Sequence, residues 1–238
     1  MTKTMTKTGK SFFAAALVAI LQVGLISWSA PAQAVVVLVE YNVNGSNSAV
    51  ANAVSPIIAA PGVVTASQMT FTNSHGLQAV NAGSSFLWRR WQGTNANRYF
   101  EWTVTPEAGH EIQYTHATLP LATGGGDSSN WELLGSTDGF TSSSISFGSV
   151  AVSGNGPPNF FGYNISSLGP QTSAVTFRLF GSGAFTNTVN VGGLAGAALG
   201  GNNGFIEGTA TFIPEPGALA LFGFGLAGLG FARRKRLL

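Results

Sequence analysis

The sequence predicts an all-β ectodomain of the β-sandwich or jelly-roll type, flanked by an N-terminal signal peptide and a single C-terminal transmembrane helix. Three observations predict it. Apolar and polar residues alternate with a period of two, turn-forming residues separate the alternating segments, and an apolar stretch lies near each end of the 238-residue chain. We therefore expect a signal peptide at residues 1–34, a β-sandwich ectodomain at 35–213 and a tail with an apolar helix at 214–238.

The alternation is clearest in residues 99–105 and 174–180. The residues expected to face the core are Phe100, Trp102 and Val104 in the first segment, and Val175, Phe177 and Leu179 in the second. Further strand candidates are residues 35–43, 63–72, 144–147 and 206–213. Turn signals occur at residues 61–62, 106–109, 124–126, 138–139 and 156–158. Residues 44–60 and 192–204 are expected to form loops.

Charge is unevenly distributed along the chain. Seven of the eleven lysines and arginines lie in residues 1–10 and 233–236. Residues 35–213 contain four arginines, no lysine and eight acids, a formal charge of −4. Because phosphate backbones repel such a body, we expect no nucleic-acid partner. Cysteine is absent, which excludes disulfides, zinc–thiolate sites and cysteine nucleophiles.

Residues 1–34 have the pattern of a secretory signal peptide. Lysines precede an apolar run from Phe12 to Trp28, and Ala32 and Ala34 then form the small-x-small pattern that signal peptidase requires. We expect cleavage after Ala34, so that the mature chain begins at Val35. Because the apolar run is long, an uncleaved signal anchor is the alternative.

Residues 214–238 contain three features in succession. Pro214, Glu215 and Pro216 come first, and fifteen uncharged residues, 218–232, follow. The basic cluster after them consists of Arg233, Arg234, Lys235 and Arg236. As a helix the uncharged segment is about 22 Å long, short for a bilayer core of about 30 Å. The basic cluster predicts that this end stays in the cytoplasm.

These features together resemble a PEP-CTERM sorting domain. The resemblance implies that an exosortase recognises Pro214-Glu215-Pro216, removes the tail and passes the protein to the surface of a Gram-negative bacterium with exopolysaccharide or biofilm machinery. An ordinary tail anchor is the alternative. Three body segments, 99–109, 131–140 and 175–180, resemble the ectodomain common among PEP-CTERM proteins, which implies a lectin-like β-sandwich.

No segment indicates a catalytic site, and we expect that the chain is not an enzyme. His110 and His116 are six residues apart, whereas the helical zinc-protease motif needs a spacing of four. On one strand they would share a face but stand about 20 Å apart. No serine elbow occurs, and the acids do not single out a glycosidase pair. A secreted hydrolase remains the least favoured alternative.

Two kinds of binding residue are candidates. Trp88 and Trp91 flank two arginines in a segment expected to be a loop, where their rings can stack on a carbohydrate. Asp127 and Asp138 lie in turns and are weak candidates for Ca²⁺ ligands, although aspartate is also ordinary in turns. No other cofactor is expected.

The sequence as a whole predicts an exported surface protein with a structural or adhesive role in an exopolysaccharide matrix. A carbohydrate-binding surface module that uses loop aromatics is the alternative. The expected partners are signal peptidase and an exosortase during processing, the membrane through the C-terminal helix, and exopolysaccharide.

Overall fold

A computed structural model of the chain describes residues 34–42, 53–73, 78–79, 86–89, 98–123, 128–153, 159–183, 191–194, 203–214, 221 and 223–226. Contacts divide the chain into a unit of residues 1–34 and a unit of residues 35–238. All the strands described below belong to the second unit.

The described residues between Ala34 and Pro214 form sixteen strands and one short 3₁₀ turn, Ser166–Leu168. The strands are β1 (Val36–Tyr41), β2 (Ala53–Val54), β3 (Pro56–Ile58), β4 (Val64–Ala66), β5 (Met69–Asn73), β6 (Gln78–Ala79), β7 (Phe86–Arg89), β8 (Arg98–Pro106), β9 (His110–Thr123), β10 (Ser128–Ser136), β11 (Ile145–Ser153), β12 (Asn159–Asn164), β13 (Pro170–Gln171), β14 (Val175–Gly183), β15 (Val191–Leu194) and β16 (Gly204–Phe212). The expected all-β composition is confirmed.

The strands form two antiparallel sheets. In the nine-stranded sheet the path of pairings is β3-β1-β16-β9-β15-β7-β6. β16 and β15 pair with successive parts of one edge of β9, and β12 and β13 pair with its opposite edge. In the seven-stranded sheet the order is β11-β10-β14-β8-β5-β2, and β4 also pairs with β8. β9 therefore lies at the centre of the first sheet, and β8 and β14 at the centre of the second.

One hydrophobic core joins the inner faces of the two sheets. Tyr114 on β9 meets Phe177 on β14 edge to face, with ring centroids 6.0 Å apart. Trp102 on β8 stacks on the same phenylalanine at 5.6 Å. The alternation expected in β8 and β14 is confirmed, because all six residues predicted to face the core are buried: Phe100, Trp102, Val104, Val175, Phe177 and Leu179.

A β-bulge at Thr115 changes which residues of β9 face the core. Tyr114 pairs with Gly208 and His116 pairs with Glu207, so β9 has one residue more than β16 at this point. Even-numbered residues face the core before the bulge, and odd-numbered residues do so after it. The buried residues on the two sides are Ile112, Tyr114, Ala117, Leu119 and Leu121.

The bulge corrects the expectation that His110 and His116 share one face. His110 precedes the extra residue and lies on the core side at the end of the sheet, against Phe212. His116 follows it and is exposed, opposite Glu207. Because the two imidazoles lie on opposite faces, they cannot bind one metal ion together.

Two loop expectations also differ from the structure. Residues 44–60 include β2 and β3, and residues 192–204 include most of β15. β2 and β3 pair with β5 and β1, 15–19 residues away, and β15 pairs with β7 and β9, about 70–110 residues away. The local residue pattern of these glycine- or asparagine-rich segments does not show such pairing. Among the described residues, no helix is long and apolar enough to cross a membrane.

Gly208→Ala should destabilise the protein by about 1–3 kcal/mol, the usual cost of overpacking. A Cβ at Gly208 would lie 2.7 Å from the carbonyl oxygen of Gln113 and 3.0 Å from Leu38 Cδ1, and the backbone of β9 cannot move aside without breaking the ladder. Urea unfolding of the purified variant measures the loss.

Gly162→Ala is the matched control, since Gly162 lies on β12 in the same sheet and a Cβ there would have nothing within 4 Å. Its unfolding free energy should stay within about 0.5 kcal/mol of the parent. Equal stability of the two variants would show that the contact at the bulge does not restrict residue size.

Candidate functional site

The last strand of the body ends against the turn that joins β8 and β9. The final ladder pair joins Phe212 to His110, and their rings meet edge to face at 5.7 Å. One residue later, the Ile213 N–H donates to the Gly109 carbonyl oxygen at 2.7 Å. Gly109 has a φ of 78°, which favours glycine, and a Cβ there would lie 3.2 Å from the Phe212 ring. The turn expected at residues 106–109 is confirmed, and it fixes the end of β16.

A cavity of about 240 Å³ lies beside this junction. Its lining residues are Pro106, Glu107, Ala108, Gly109, His110, Thr172, Ile213 and Pro214. Nδ1 of His110 is buried and has no hydrogen-bond partner among the described residues. The cavity is therefore shared between the β8–β9 turn and the first residues after β16.

The residues at and after this junction match a known protein-sorting motif. Residues 212–236 match the family model of the PEP-CTERM protein-sorting motif. The chain carries a PEP-CTERM sorting motif. The motif indicates an exported protein that an exosortase processes at a membrane, so the expected resemblance is confirmed. A search of curated proteins finds no match to the chain.

The PEP-CTERM motif begins inside the fold. Phe212 is both the last residue of β16 and the first residue matched, and Ile213 and Pro214 follow outside any helix or strand. Leu221 and residues 223–226 are helical. The other predicted tail residues, Glu215, Pro216, Arg233, Arg234, Lys235 and Arg236, lie outside the described part of the chain. Of the predicted cleavage residues, Ala34 precedes β1 and Ala32 is not among those described.

A second polar cluster lies on the outer face of the seven-stranded sheet, around Arg178 of β14. The guanidinium carbon of Arg178 lies 4.3 Å from the ring centroid of Tyr99 and 4.2 Å from that of Phe140. Its Nε–H donates to Glu101 Oε2 at 2.6 Å, and the two side chains are 23% and 32% exposed. Sequence patterns alone do not reveal this cluster. Alternation places Tyr99 and Arg178 outward, but only the register of β8 against β14 brings them together.

Phe140 reaches Arg178 from a strained position. Its φ is 65°, in the left-handed region that costs a bulky residue about 1–2 kcal/mol. Two contacts offset the strain: the Phe140 N–H donates to Ser136 Oγ at 3.0 Å, and the ring covers the Arg178 guanidinium. The β10–β11 loop therefore places the Phe140 ring on the outer face of the seven-stranded sheet.

Asp138 closes that loop through its carboxylate. Oδ1 accepts hydrogen bonds from Ser136 Oγ at 2.6 Å and from the Thr141 N–H at 3.2 Å. Oδ2 accepts from the N–H and hydroxyl groups of Ser142 and Ser143, at 2.5–3.1 Å. Hydrogen bonds from Ser136, Ser142 and Ser143 hold the pKa of this carboxyl well below its usual value. The carboxylate caps its own turn.

The hydrogen bonds of Asp138 compete with its predicted role as a Ca²⁺ ligand. Both Asp138 oxygens already accept hydrogen bonds from loop N–H and hydroxyl groups, which are donors that a cation would have to displace. Asp127 lies outside the described part of the chain. Within that part, no group of three or more His, Asp or Glu side chains is placed to hold a metal ion.

Of the two candidate tryptophans, the structure describes the backbone of Trp88 but not Trp91. Trp88 lies on β7, paired with Gly192 of β15 and Ala79 of β6, and not on the loop that the sequence predicts. The glycines of β15 supply a partner strand that hydrophobic alternation cannot reveal. The side chain of Trp88 and the whole of Trp91 lie outside the description, so their roles stay predictions. Trp102, which was expected to face the core, is buried, and so is Trp131.

Phe140→Ala should be less stable than Phe140→Gly by about 1 kcal/mol, because both lose the ring over Arg178 but only alanine keeps a Cβ at positive φ. Urea midpoints at constant slope provide the comparison. If the two variants unfold at the same midpoint, the loop has relaxed out of the left-handed conformation and the strain is not retained.

Proposed function

We propose that the chain is an exosortase substrate that becomes a structural or adhesive protein at the surface of a Gram-negative bacterium, within or beside an exopolysaccharide matrix. The observation that carries this proposal is the continuity of the last strand with the PEP-CTERM motif at Phe212. A β body is thereby joined directly to a sorting signal. The steps before sorting would be cleavage by signal peptidase after Ala34 and retention by the C-terminal helix.

Several charged side chains of the body support a passive role. Glu101 forms an ion pair with Arg178, and Asp138 is bound by its own loop. Glu132 accepts a hydrogen bond from Ser146 at 2.7 Å. Each of these carboxylates stabilises a local contact between strands or within a turn, where a hydrolase would need carboxylates converging on a substrate cleft. A non-catalytic role is therefore the function that we propose.

The mature product should begin at Val35 and end near Pro214. Fractionation of the producing bacterium followed by intact-mass analysis measures both ends. Replacement of Pro214, Glu215 and Pro216 by alanine should abolish removal of the tail, because the exosortase would no longer find the segment it recognises. Removal of the N-terminal signal should be unaffected in this variant.

The matched control is Glu207→Ala, which removes a carboxylate from β16 but leaves the Pro-Glu-Pro segment intact. It should be processed like the parent. A cytoplasmic, full-length product from the parent chain would contradict the proposal, and so would normal removal of the tail from the triple-alanine variant.

A carbohydrate-binding surface module is the second candidate, and the cluster around Arg178 favours it. Tyr99 and Phe140 present partly exposed rings beside a cation and the Glu101 carboxylate, a combination that offers apolar faces and polar groups together. One side of each ring already faces the guanidinium, so a sugar would meet the remaining edges. Trp88 and Trp91 remain candidates of the same kind, and Ca²⁺ at Asp127 and Asp138 remains a prediction.

If this second candidate holds, Tyr99→Ala, Trp88→Ala or Trp91→Ala should weaken binding to exopolysaccharide purified from the producing strain. We expect about a fivefold loss for a residue that contacts the polymer, since an aromatic contact contributes roughly 1 kcal/mol. Affinity electrophoresis measures it. Phe160→Ala, at an exposed aromatic on β12, is the control. Binding that survives all three substitutions would remove these residues from the carbohydrate hypothesis.

A further inference from the structure

The seven-stranded sheet ends on one side with a long strand, β11 (Ile145–Ser153). β11 pairs with β10 along one edge, and no other described strand pairs with its second edge. In an antiparallel ladder, every second residue of such a strand directs its N–H and C=O groups away from the neighbouring strand. The free edge of β11 therefore carries a row of backbone donors and acceptors that can pair with another strand.

The free edge of β11 lacks most of the features that keep natural edge strands from pairing with other chains. β11 has nine residues, and none of them is charged or a proline. β2 and β3, at two other sheet ends, are only two and three residues long, and β3 begins with Pro56. One protective feature is present, a bulge between Ser146 and Ser149. After the bulge, the ladder with β10 is regular as far as Ser153.

The two faces of β11 differ in what a neighbouring strand would meet. On the outer face, Ser149 and Ala151 are exposed and small, so they leave room for a second backbone. On the core face, Phe147 and Val150 pack against the core but are only partly buried, and Ile145 is 38% exposed. The hydrophobic core therefore continues to the free edge without being closed there. A strand added beside β11 would cover these three side chains and remove apolar surface from water.

We propose that β11 pairs with β11 of a second copy of the chain, in antiparallel orientation about a twofold axis perpendicular to the sheet. Such an axis reverses the strand direction but keeps the two faces, so the core-facing side chains of both copies lie on the same side. Pairing of the regular part, Ser149 to Ser153, places Ala151 opposite the same residue of the second copy. One sheet then runs through two bodies.

The composition of β11 favours a copy of itself as the partner. In the symmetric pair, small outer residues meet small outer residues and apolar core-facing residues meet apolar ones, and no like charges face each other across the axis. A strand with charged side chains would find no opposite charge on β11. The inference goes beyond the proposed function and does not depend on it, because β11 belongs to the folded body and not to the sorting motif.

Analytical ultracentrifugation of the full chain, purified in a mild detergent, tests the pairing. The parent chain should form a dimer. Ala151→Lys should raise the dissociation constant of the dimer by about tenfold or more, because the substitution places two lysines opposite each other across the axis. Ala151 is exposed, so the lysine should leave the fold of each copy intact, and unchanged circular dichroism checks this.

Thr70→Lys is the matched control, since it adds the same charge to an exposed residue of the same sheet. Thr70 lies on β5, four strand positions from β11, a distance of about 19 Å. Its dissociation constant should stay within about twofold of the parent value, because the lysine does not reach the dimer contact.

The absence of cysteine from the chain allows a second test that does not depend on weakening the dimer. Residues directly opposite each other in an antiparallel pair have Cα atoms about 4.5–5.5 Å apart, a separation that a disulfide can bridge. Under mild oxidation, Ala151→Cys should therefore form a disulfide between two copies much faster than Thr70→Cys does. Non-reducing electrophoresis measures both rates.

Three results would overturn the inference. The first is a parent chain that stays monomeric up to its highest soluble concentration. The second is a dimer that Ala151→Lys weakens no more than Thr70→Lys, because another surface, such as the uncharged segment 218–232, then holds the copies together. The third is equal disulfide formation by the two cysteine variants. None of these measurements involves export or removal of the tail, so failure of the proposed function would leave the inference standing.

Discussion

The antiparallel ladder between β9 and β16 is the constraint on which the rest of the structure depends. β9 pairs with β12 and β13 on one edge and with β15 and β16 on the other, so it positions strands from distant parts of the chain. Without the bulge at Thr115, half of β9 would turn its apolar residues to solvent, because side chains alternate with a period of two. The extra residue lets both halves of β9 face the seven-stranded sheet.

The same ladder determines where the segment with the sorting motif emerges from the fold. Because Phe212 is the last paired residue and Ile213 is bonded to Gly109, the exit point of the tail is set by the β8–β9 turn. Four residues, 214–217, then separate Ile213 from the uncharged segment that begins at Ala218.

Local patterns predicted the local features of the chain and missed those that depend on pairing. The inward residues of β8 and β14 and the turn at Gly109 follow from spacing within a few residues, as does the contiguous sorting motif. The faces of His110 and His116 depend on one extra residue opposite Gly208, which alternation cannot show. Arg178 meets Glu101 across 77 residues of sequence, and Trp88 lies on a strand because of glycines about a hundred residues away.

The perturbed carboxyl of Asp138 shows why a shifted pKa does not identify a catalytic group in this body. Catalytic acids commonly have raised pKa values because burial disfavours the charged form. At Asp138 the shift is downward, and its largest cause is a hydrogen bond from Ser136, whose Oγ also accepts the Phe140 N–H. The ionised form is therefore favoured by the same contacts that close the loop. The closed loop holds Phe140 at positive φ over Arg178. The ionised Asp138 carboxylate therefore stabilises the arrangement of side chains on the outer face of the sheet, and this structural contact is sufficient to explain its lowered pKa.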